Sequence, residues 1–148
     1  MSNFVDTNNS NRGENESYRD VIGQIKKDEI CPFCPENLSK YHKKPILEEN
    51  DYWLLTENMY PYSGAKCHLL AIHKVHIEDV SQVSKEAWGG LLEIIQRETE
   101  KINIKGGTFY MRFGNTAHTG ASVVHLHANL VSPDTEDKNR KPIMFRIG

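Results

Sequence analysis

The chain has few cysteines, almost no excess of charge of either sign, and no long apolar run. Its three cysteines among 148 residues argue against a disulfide framework and for a reducing compartment. A formal net charge of −2 gives no electrostatic basis for nucleic acid or an anionic membrane surface as the main partner. No apolar run approaches the ~20 residues of a membrane span, so we expect no membrane partner.

The N-terminal residues also lack a targeting pattern. Residues 1–11 have no basic start followed by an apolar core, so we expect no secretory signal and a cytoplasmic protein. Residues 1–16 are rich in Asn, Ser, Glu and Gly, a composition that predicts a mobile, disordered tail. The remaining residues, 17–148, are long enough for a single domain with a sizeable core.

Helical spacing occurs in two segments. Ser17 is expected to cap a short helix, because Asp20 follows three residues later in a capping-box arrangement. The apolar face of this helix is predicted to contain Tyr18, Val21, Ile22 and Ile25. Ser84 is expected to cap a long helix that ends at Gly106-Gly107. Its apolar stripe is predicted to consist of Trp88, Leu91, Leu92, Ile95 and Ile102.

Other segments have the period and turn residues of strands. A hairpin is predicted over residues 46–55, with its turn at 49–51, and residues 58–64 are predicted to form a loop. Further strands are predicted at 68–72, 108–113, 122–131 and 143–147. The sum is an α+β fold, in which an antiparallel β-sheet of about five strands packs on one long helix, with a short N-terminal helix beside it.

The strand predicted over residues 122–131 is the most informative segment. Alternation places Leu126, Ala128 and Leu130 on one face and His125, His127 and Asn129 on the other, so one face is apolar and the other polar. Two histidines on one face can bind a metal, or one of them can attack a phosphorus atom.

The pair Cys31 and Cys34 has a two-residue separation that allows both thiolates to reach one tetrahedral ion. The alternative is a pair of unmetallated thiols packed in a turn. The third cysteine, Cys67, is expected to be a small buried apolar residue.

Five segments in the same order resemble the histidine triad (HIT) superfamily of nucleotide hydrolases and transferases. The family signature His-φ-His-φ-His-φ-φ, where φ is apolar, corresponds here to His125-Leu-His-Ala-Asn-Leu-Val131. The other similar segments are Cys31–Cys34, Asn58–Tyr62 with the strand from His68, Lys74–Val80, and Gly120–Ser122. The resemblance spans about residues 31–131, and it implies a HIT-like fold and a homodimer formed through the long helix and a sheet edge.

The resemblance also implies a chemistry and a set of site residues. His127 is expected to attack the α-phosphorus of a purine nucleotide conjugate and form a nucleotidyl-histidine, which water, phosphate or another acceptor then releases. The conjugate would be a dinucleoside polyphosphate, a phosphoramidate or a nucleotide ester. Expected contacts to the nucleotide come from Asn58, His68, Arg112, Asn115, Gly120 and Ser122, the last also counted as catalytic, with Tyr60, Tyr62 and Ile46 as walls for the base.

A zinc site is implied in the same way. By resemblance, its ligands are Cys31, Cys34, His76 and His125, a complete set of four that leaves no open position and therefore makes the metal structural.

The third triad position departs from the family pattern. It is Asn129 here, whereas the family has histidine and its transferase and phosphorylase branches have glutamine. A carboxamide cannot act as a general acid, and such help is typically worth ~10²–10⁴-fold in rate. Three functions therefore stay open: an active nucleotide hydrolase or transferase, a zinc-stabilised nucleotide-binding protein with reduced or lost catalysis, and a metalloenzyme that uses His125 and His127 as ligands. The long helix and the small number of strands argue against the barrel that the third would need.

Overall fold

The structure, a computed structural model, describes residues 3–13 and 15–148. It contains a five-stranded antiparallel sheet with the order β1-β2-β3-β5-β4, so the fifth strand inserts between the third and the fourth. The strands are β1 (Ile46–Glu49), β2 (Trp53–Glu57), β3 (Ala65–His73), β4 (Thr108–Arg112) and β5 (His127–Pro133). The helices are α1 (Thr7–Asn11), α2 (Glu16–Asp28), α3 (Pro35–Tyr41) and α4 (Lys85–Lys101).

The sheet has two differently covered faces, because side chains alternate along each strand. One face packs on α4 in the main core, which contains Trp53, Leu55, Leu69, Ala71, Leu91, Ile94, Leu126, Ala128 and Leu130. The indole Nε1–H of Trp53 donates to the Ala87 carbonyl at 2.7 Å and thereby fixes α4 on this face. The other face packs Leu54, Leu70 and Ile72 against Leu38 of α3. The predicted α+β fold is confirmed.

The start of α4 agrees with the sequence, but its stripe and its end differ. The Ser84 hydroxyl accepts from the Ala87 backbone N–H at 3.0 Å, as expected of an N-cap. The buried positions are Ala87, Leu91, Ile94 and Glu98, whereas Trp88, Leu92 and Ile102 of the predicted stripe are exposed. The prediction combined two neighbouring apolar faces of one helix. The helix also ends at Lys101 rather than at Gly106, because Asn103 adopts a left-handed conformation with φ +53°.

Three other local predictions were inaccurate. Helix α2 is capped by Asn15, whose side chain accepts from the Tyr18 N–H at 2.9 Å, and not by Ser17. Strand β5 begins at His127, because the Leu126 N–H donates to the Ile77 carbonyl and residues 122–126 leave the ladder. Residues 143–147 form no strand, since Phe145 stacks on Tyr110 instead of extending the sheet.

Several residues between 4 and 10 pack against the rest of the domain, which differs from the mobile tail that composition predicts. Val5 is 1% exposed and forms an isolated bridge with Val123. The buried Asn9 side chain donates to the carbonyl oxygens of Thr116 and Ala121, at 2.9 and 2.8 Å. Val5 and the Asn9 carboxamide thus pack against and hydrogen-bond to residues 116–123. The overall composition of the segment does not predict such individual contacts. Residues 1, 2 and 14 lie outside the described residues, and the domain boundary at residue 17 stays a prediction.

None of the helices in the described ranges combines the length and the apolar character needed to cross a bilayer.

Candidate functional site

The polar face of β5 brings the triad residues beside two residues of β4. Arg112 pairs with His127, and Tyr110 pairs with Asn129, in the antiparallel register. Because paired residues in antiparallel strands share a face, these four side chains lie on the same face of the sheet, away from α4. The site is therefore built on the centre of the sheet and not on a loop.

The ring of His127 has one nitrogen engaged, and the other has no hydrogen-bond partner among residues 3–13 and 15–148. Its Nδ1 lies 2.7 Å from the His125 carbonyl oxygen, so Nδ1 carries the proton and donates it there. The ring edge contacts Phe33, at 5.1 Å between centroids. Burial lowers the pKa of His127 to about 4, the hydrogen bond to His125 opposes this shift, and the Arg112 charge adds to it. The neutral ring thus presents the lone pair of Nε2, which is the form that nucleophilic attack requires.

Asn129 is held by the neighbouring histidine of β3. The Nδ1 of His68 accepts from the Tyr62 backbone N–H at 3.2 Å, so the proton is on Nε2, which lies 2.9 Å from the Asn129 carboxamide oxygen. Burial lowers the pKa of His68, and the hydrogen bond with Asn129 opposes this shift. The Asn58 side chain lies 3.2 Å from the same ring nitrogen. The structure therefore brings Asn58, His68 and Asn129 together.

The loop before β5 contains a glycine at positive φ and backbone groups that are already hydrogen-bonded. Gly120 has φ +72°, a conformation that side chains other than hydrogen disfavour, and it lies close to Arg146. The Ser122 carbonyl accepts from the Asp6 N–H at 2.8 Å. The Asn115 side chain accepts from the Ala117 N–H at 2.9 Å and caps a short 3₁₀ turn. Asn115 is exposed, so this residue is not brought into the cluster around His68.

Arg112 is a half-buried cation whose Nε is buried and has no hydrogen-bond partner among the described residues. Its Nη2 donates to the Arg146 carbonyl at 2.7 Å, and the guanidinium lies 5.2 Å from the ring centroid of Tyr110. Its Nε is the one buried side-chain nitrogen or oxygen without a hydrogen-bond partner in residues 3–13 and 15–148. A buried N–H without a partner is unfavourable, so a ligand with an acceptor atom would be stabilised at this point.

Four aromatic residues near the site were not predicted to belong to it: Phe33 and Tyr110, described above, and Tyr18 and Phe145. Tyr18 of α2 lies 5.0 Å from Tyr60, and burial raises its pKa, while a hydrogen bond with Ser122 acts in the opposite direction. Phe145 stacks on Tyr110 with ring centroids 4.4 Å apart. The helical spacing of apolar residues predicted only that Tyr18 lies on the buried face of its helix. No pattern in the sequence near Phe145 predicted that this ring stacks on Tyr110.

Of the three residues predicted to form walls for a base, Tyr60 and Tyr62 lie near the site and Ile46 does not. Tyr62 lies 4.6 Å from the His68 ring, and Tyr60 lies against Tyr18. Ile46 is 41% exposed on the edge strand β1. The aromatic residues therefore line the face that carries His68, whereas Ile46 lies at the edge of the sheet.

Four predicted metal ligands converge beside the triad strand. The Sγ atoms of Cys31 and Cys34 and one ring nitrogen each of His76 and His125 all lie within 4.8 Å of one another. The four sulfur–nitrogen distances are 3.2 and 3.9 Å for His125, and 3.3 and 3.6 Å for His76. Tetrahedral Zn²⁺, with bonds of about 2.3 Å to sulfur and about 2.0 Å to nitrogen, separates such ligand pairs by about 3.5 Å. The spacing fits one tetrahedral ion.

The surroundings of the two histidines also fit a metal. The Nε2 of His125 lies 2.6 Å from the His73 carbonyl oxygen, and the Nε2 of His76 lies 3.3 Å from Glu78 Oε1. Both rings can therefore donate through Nε2 and direct the lone pair of Nδ1 at the sulfurs, an arrangement that orients metal ligands. Burial, together with Cys31, raises the pKa of Cys34 to about 12, so a cation is needed to displace the thiol proton.

The chain is similar in sequence and in structure to members of one protein family. The HIT domain family matches residues 40–136. A solved structure named "Hit Like Protein" is 30% identical, with a TM-score of 0.53 over 62% of this chain and 88% of that chain. A HIT family hydrolase from Clostridium thermocellum is 25% identical, with a TM-score of 0.50 over 82% of this chain and 94% of that chain.

A third similar structure is a Zn-bound histidine triad family protein from Mycobacterium smegmatis. It is 22% identical, with a TM-score of 0.53 over 75% of this chain and 78% of that chain, and at this identity it supports the fold. The search of the curated proteins gave no match. The family match covers more than half of the residues and includes the triad strand, and the chain therefore belongs to the HIT domain family.

Proposed function

We propose that this protein is a nucleotide hydrolase or nucleotidyl transferase that acts on the α-phosphate of a purine nucleotide conjugate. The single observation that carries the proposal is the state of His127, whose Nδ1 donates to a backbone carbonyl and whose Nε2 has no partner in the part of the chain that the structure describes. Family membership and the likeness to a HIT family hydrolase support the same class of reaction.

The proposed reaction proceeds in two displacements. The Nε2 lone pair of His127 forms a bond to the α-phosphorus, and the bond from phosphorus to the leaving group breaks with its electron pair on the leaving group. The ring is cationic in the intermediate, and the His125 carbonyl that accepts from Nδ1 stabilises this charge. Water or another acceptor then attacks phosphorus, loses a proton to solvent, and returns His127 to its neutral form. The Arg112 guanidinium stabilises negative charge on the phosphate oxygens.

The carboxamide of Asn129 limits the leaving groups that this reaction can use. Its oxygen accepts from His68, so its N–H₂ group is directed into the site and can donate a hydrogen bond but not a proton. A polyphosphate leaves as a stable anion without protonation, whereas an amine leaves poorly unless it is protonated. We therefore propose a dinucleoside polyphosphate as the preferred substrate, rather than a phosphoramidate.

Substitution of Asn129 by histidine tests this preference. We expect Asn129→His to accelerate AMP release from an adenosine phosphoramidate by about 10²-fold, since it restores a general acid, and to change release from diadenosine tetraphosphate by less than about tenfold. Initial rates of AMP release measure both. Asn129→Gln is the matched control, because it keeps the amide and should not accelerate the phosphoramidate reaction.

The alternative is a nucleotide-binding protein without turnover, which the missing general acid favours. In that case the wild-type protein would bind both compounds and release AMP from neither, and Asn129→His would gain activity with both. Equal rates of wild type with the two substrates would contradict the proposed preference for polyphosphate.

We propose a structural Zn²⁺ ion, held by Cys31, Cys34, His76 and His125. A bound zinc would link the N-terminal segment to the end of the triad strand, and the M. smegmatis protein of the same fold is Zn-bound. The donor set contains four protein ligands and excludes His127, which argues against a catalytic metal on His125 and His127. We further propose that the protein acts in the cytoplasm, where reducing conditions keep both thiols available.

We also propose a two-fold homodimer. Helix α4 exposes Trp88 and Leu92, and β1 and β4 are the edge strands of the sheet. Exposed apolar side chains on a helix and open sheet edges are features that a partner subunit can cover. Light scattering should give about twice the chain mass of 17.0 kDa, and Leu92→Glu should shift the mass to that of one chain. A monomeric mass for the wild type would contradict the dimer.

A further inference from the structure

A cavity of about 520 Å³ lies on the same face of the sheet as His127. Its walls include Thr108 and Tyr110 of β4, Val131 of β5, and Arg140, Lys141 and Phe145 of the C-terminal segment. The volume is in the range of small-molecule sites. Tyr62, one of the predicted walls for a base, also lines this cavity, whereas His127, Asn129, the loop before β5 and the four metal ligands are not among its lining residues.

The cavity lies beyond the third triad position. Val131 and His127 are on one face of β5 and four residues apart, which corresponds to about 13 Å along a strand. Asn129 lies between them, and Tyr110 pairs with Asn129. A group in the cavity is therefore too far from His127 to be attacked itself, but it can be connected to the attacked phosphorus through a short chain.

The walls of the cavity present flat aromatic surfaces. The ring of Phe145 is parallel to that of Tyr110, with centroids 4.4 Å apart and an interplanar angle of 5°. It is also parallel to Tyr62, at 6.1 Å and 8°. Stacked aromatic side chains are surfaces on which a planar heterocycle stacks favourably, irrespective of which base it is.

The charge at the cavity is positive. Arg140 and Lys141 line it, and none of its lining residues in the described part of the chain is acidic. The Arg112 guanidinium lies 5.7 Å from the Phe145 ring centroid, and its buried Nε has no partner among the described residues. Three cations around aromatic walls favour an anionic ligand with a planar ring, and guanidinium groups match phosphate oxygens in geometry.

We propose that this cavity binds the leaving half of the substrate, a nucleoside joined through a phosphate chain to the α-phosphorus. This inference rests on the proposed function for the position of the attacked phosphorus. Residues 140–145 lie outside the part of the chain that matches the HIT domain, residues 40–136, so the subsite depends on this chain's own C-terminal segment. An anionic nucleotide as the leaving group also agrees with an asparagine at position 129.

Two substrates with the same adenylyl group distinguish an effect on binding of the leaving group from an effect on the reaction at phosphorus. Diadenosine tetraphosphate has an aromatic, anionic leaving group, and adenosine phosphoramidate has neither property. The double variant Arg140→Ala/Lys141→Ala should raise KM for diadenosine tetraphosphate about tenfold or more and leave the phosphoramidate kinetics unchanged. Lys105→Ala/Lys138→Ala, which removes the same charge at exposed positions that are not among the residues lining the cavity, should resemble wild type. Equal effects of the two double variants, or equal effects on both substrates, would overturn the subsite.

A binding measurement tests the subsite even if the wild type releases no AMP and the proposed function is wrong. Calorimetry on His127→Ala should show tighter binding of diadenosine tetraphosphate than of AMP, and Arg140→Ala/Lys141→Ala should remove this difference. Thr108→Trp, which fills the cavity from an exposed position without changing charge, should do the same. Undiminished preference for diadenosine tetraphosphate in both variants would refute the subsite, whatever the outcome for catalysis.

Discussion

Replacement of His127 by alanine should reduce AMP release from diadenosine tetraphosphate by at least about 10³-fold, since the nucleophile of the proposed reaction is lost. The other parts of the site remain in this variant, because Asn129 is held by His68 and Arg112 by the Arg146 carbonyl. The variant should therefore still bind the substrate. Loss of turnover with retained binding is the pattern expected for a covalent nucleophile.

Intact-protein mass spectrometry under denaturing conditions, after brief mixing with substrate, detects the intermediate directly. The wild type should show a transient adenylyl adduct that His127→Ala lacks. His42→Ala is the matched control, since its ring bonds to Thr56 Oγ1 at 2.7 Å and lies outside the proposed site. An adduct of equal intensity in His127→Ala would refute the assignment of the nucleophile, even if the overall reaction occurs.

Loss of the metal should destabilise the domain strongly. Cys31 and His125 are buried and their ligand atoms converge with those of the half-buried Cys34 and His76, so removal of a bound ion leaves two buried and two half-buried polar groups without their common partner. We expect Cys31→Ser to lower stability by about 3 kcal/mol or more and the melting temperature by about 10 °C. AMP release should fall as well, because the carbonyl of His125 holds the proton of His127.

Metal analysis and thermal unfolding test this expectation together. The wild-type protein should contain a single zinc ion per chain, and Cys31→Ser should contain much less. Cys67→Ser is the matched control, because this thiol is half-buried in β3 and is not a member of the cluster. A metal-free wild type, or equal melting temperatures for the two serine variants, would contradict a structural zinc site.

The features predicted well from the sequence depend on local or alternating patterns. The Ser84 cap is a contact within one helical turn, and Leu126, Ala128 and Leu130 share the apolar face that alternation predicts. The sheet of about five strands, predicted from alternating segments, is also confirmed. The proximity of Asn58, His68 and Asn129 required the family resemblance, because spacing along the chain does not indicate which strands are neighbours.

The features predicted badly depend on partners distant in sequence. Val5 is buried because Val123 lies opposite, and Phe145 leaves the strand pattern because Tyr110 offers a stacking surface. The stripe of α4 was misplaced because Trp88 and Ile94 are both apolar, and only the position of the sheet decides which side of the helix is buried. Hydropathy identifies candidate core residues, but it does not select between adjacent faces of one helix.

The cluster of four proposed metal ligands also has a consequence for the folding process. It joins Cys31 to His125, which are 94 residues apart, beside a strand that inserts between two earlier ones. Non-local pairing of this kind is slow, because the entropy of closing a long loop must be lost before the contacts form. An ion bound early by the cysteine pair and one histidine would favour the approach of the second histidine ligand. Zinc would therefore influence the rate at which β5 pairs with β3 and β4 as well as the stability of the folded state.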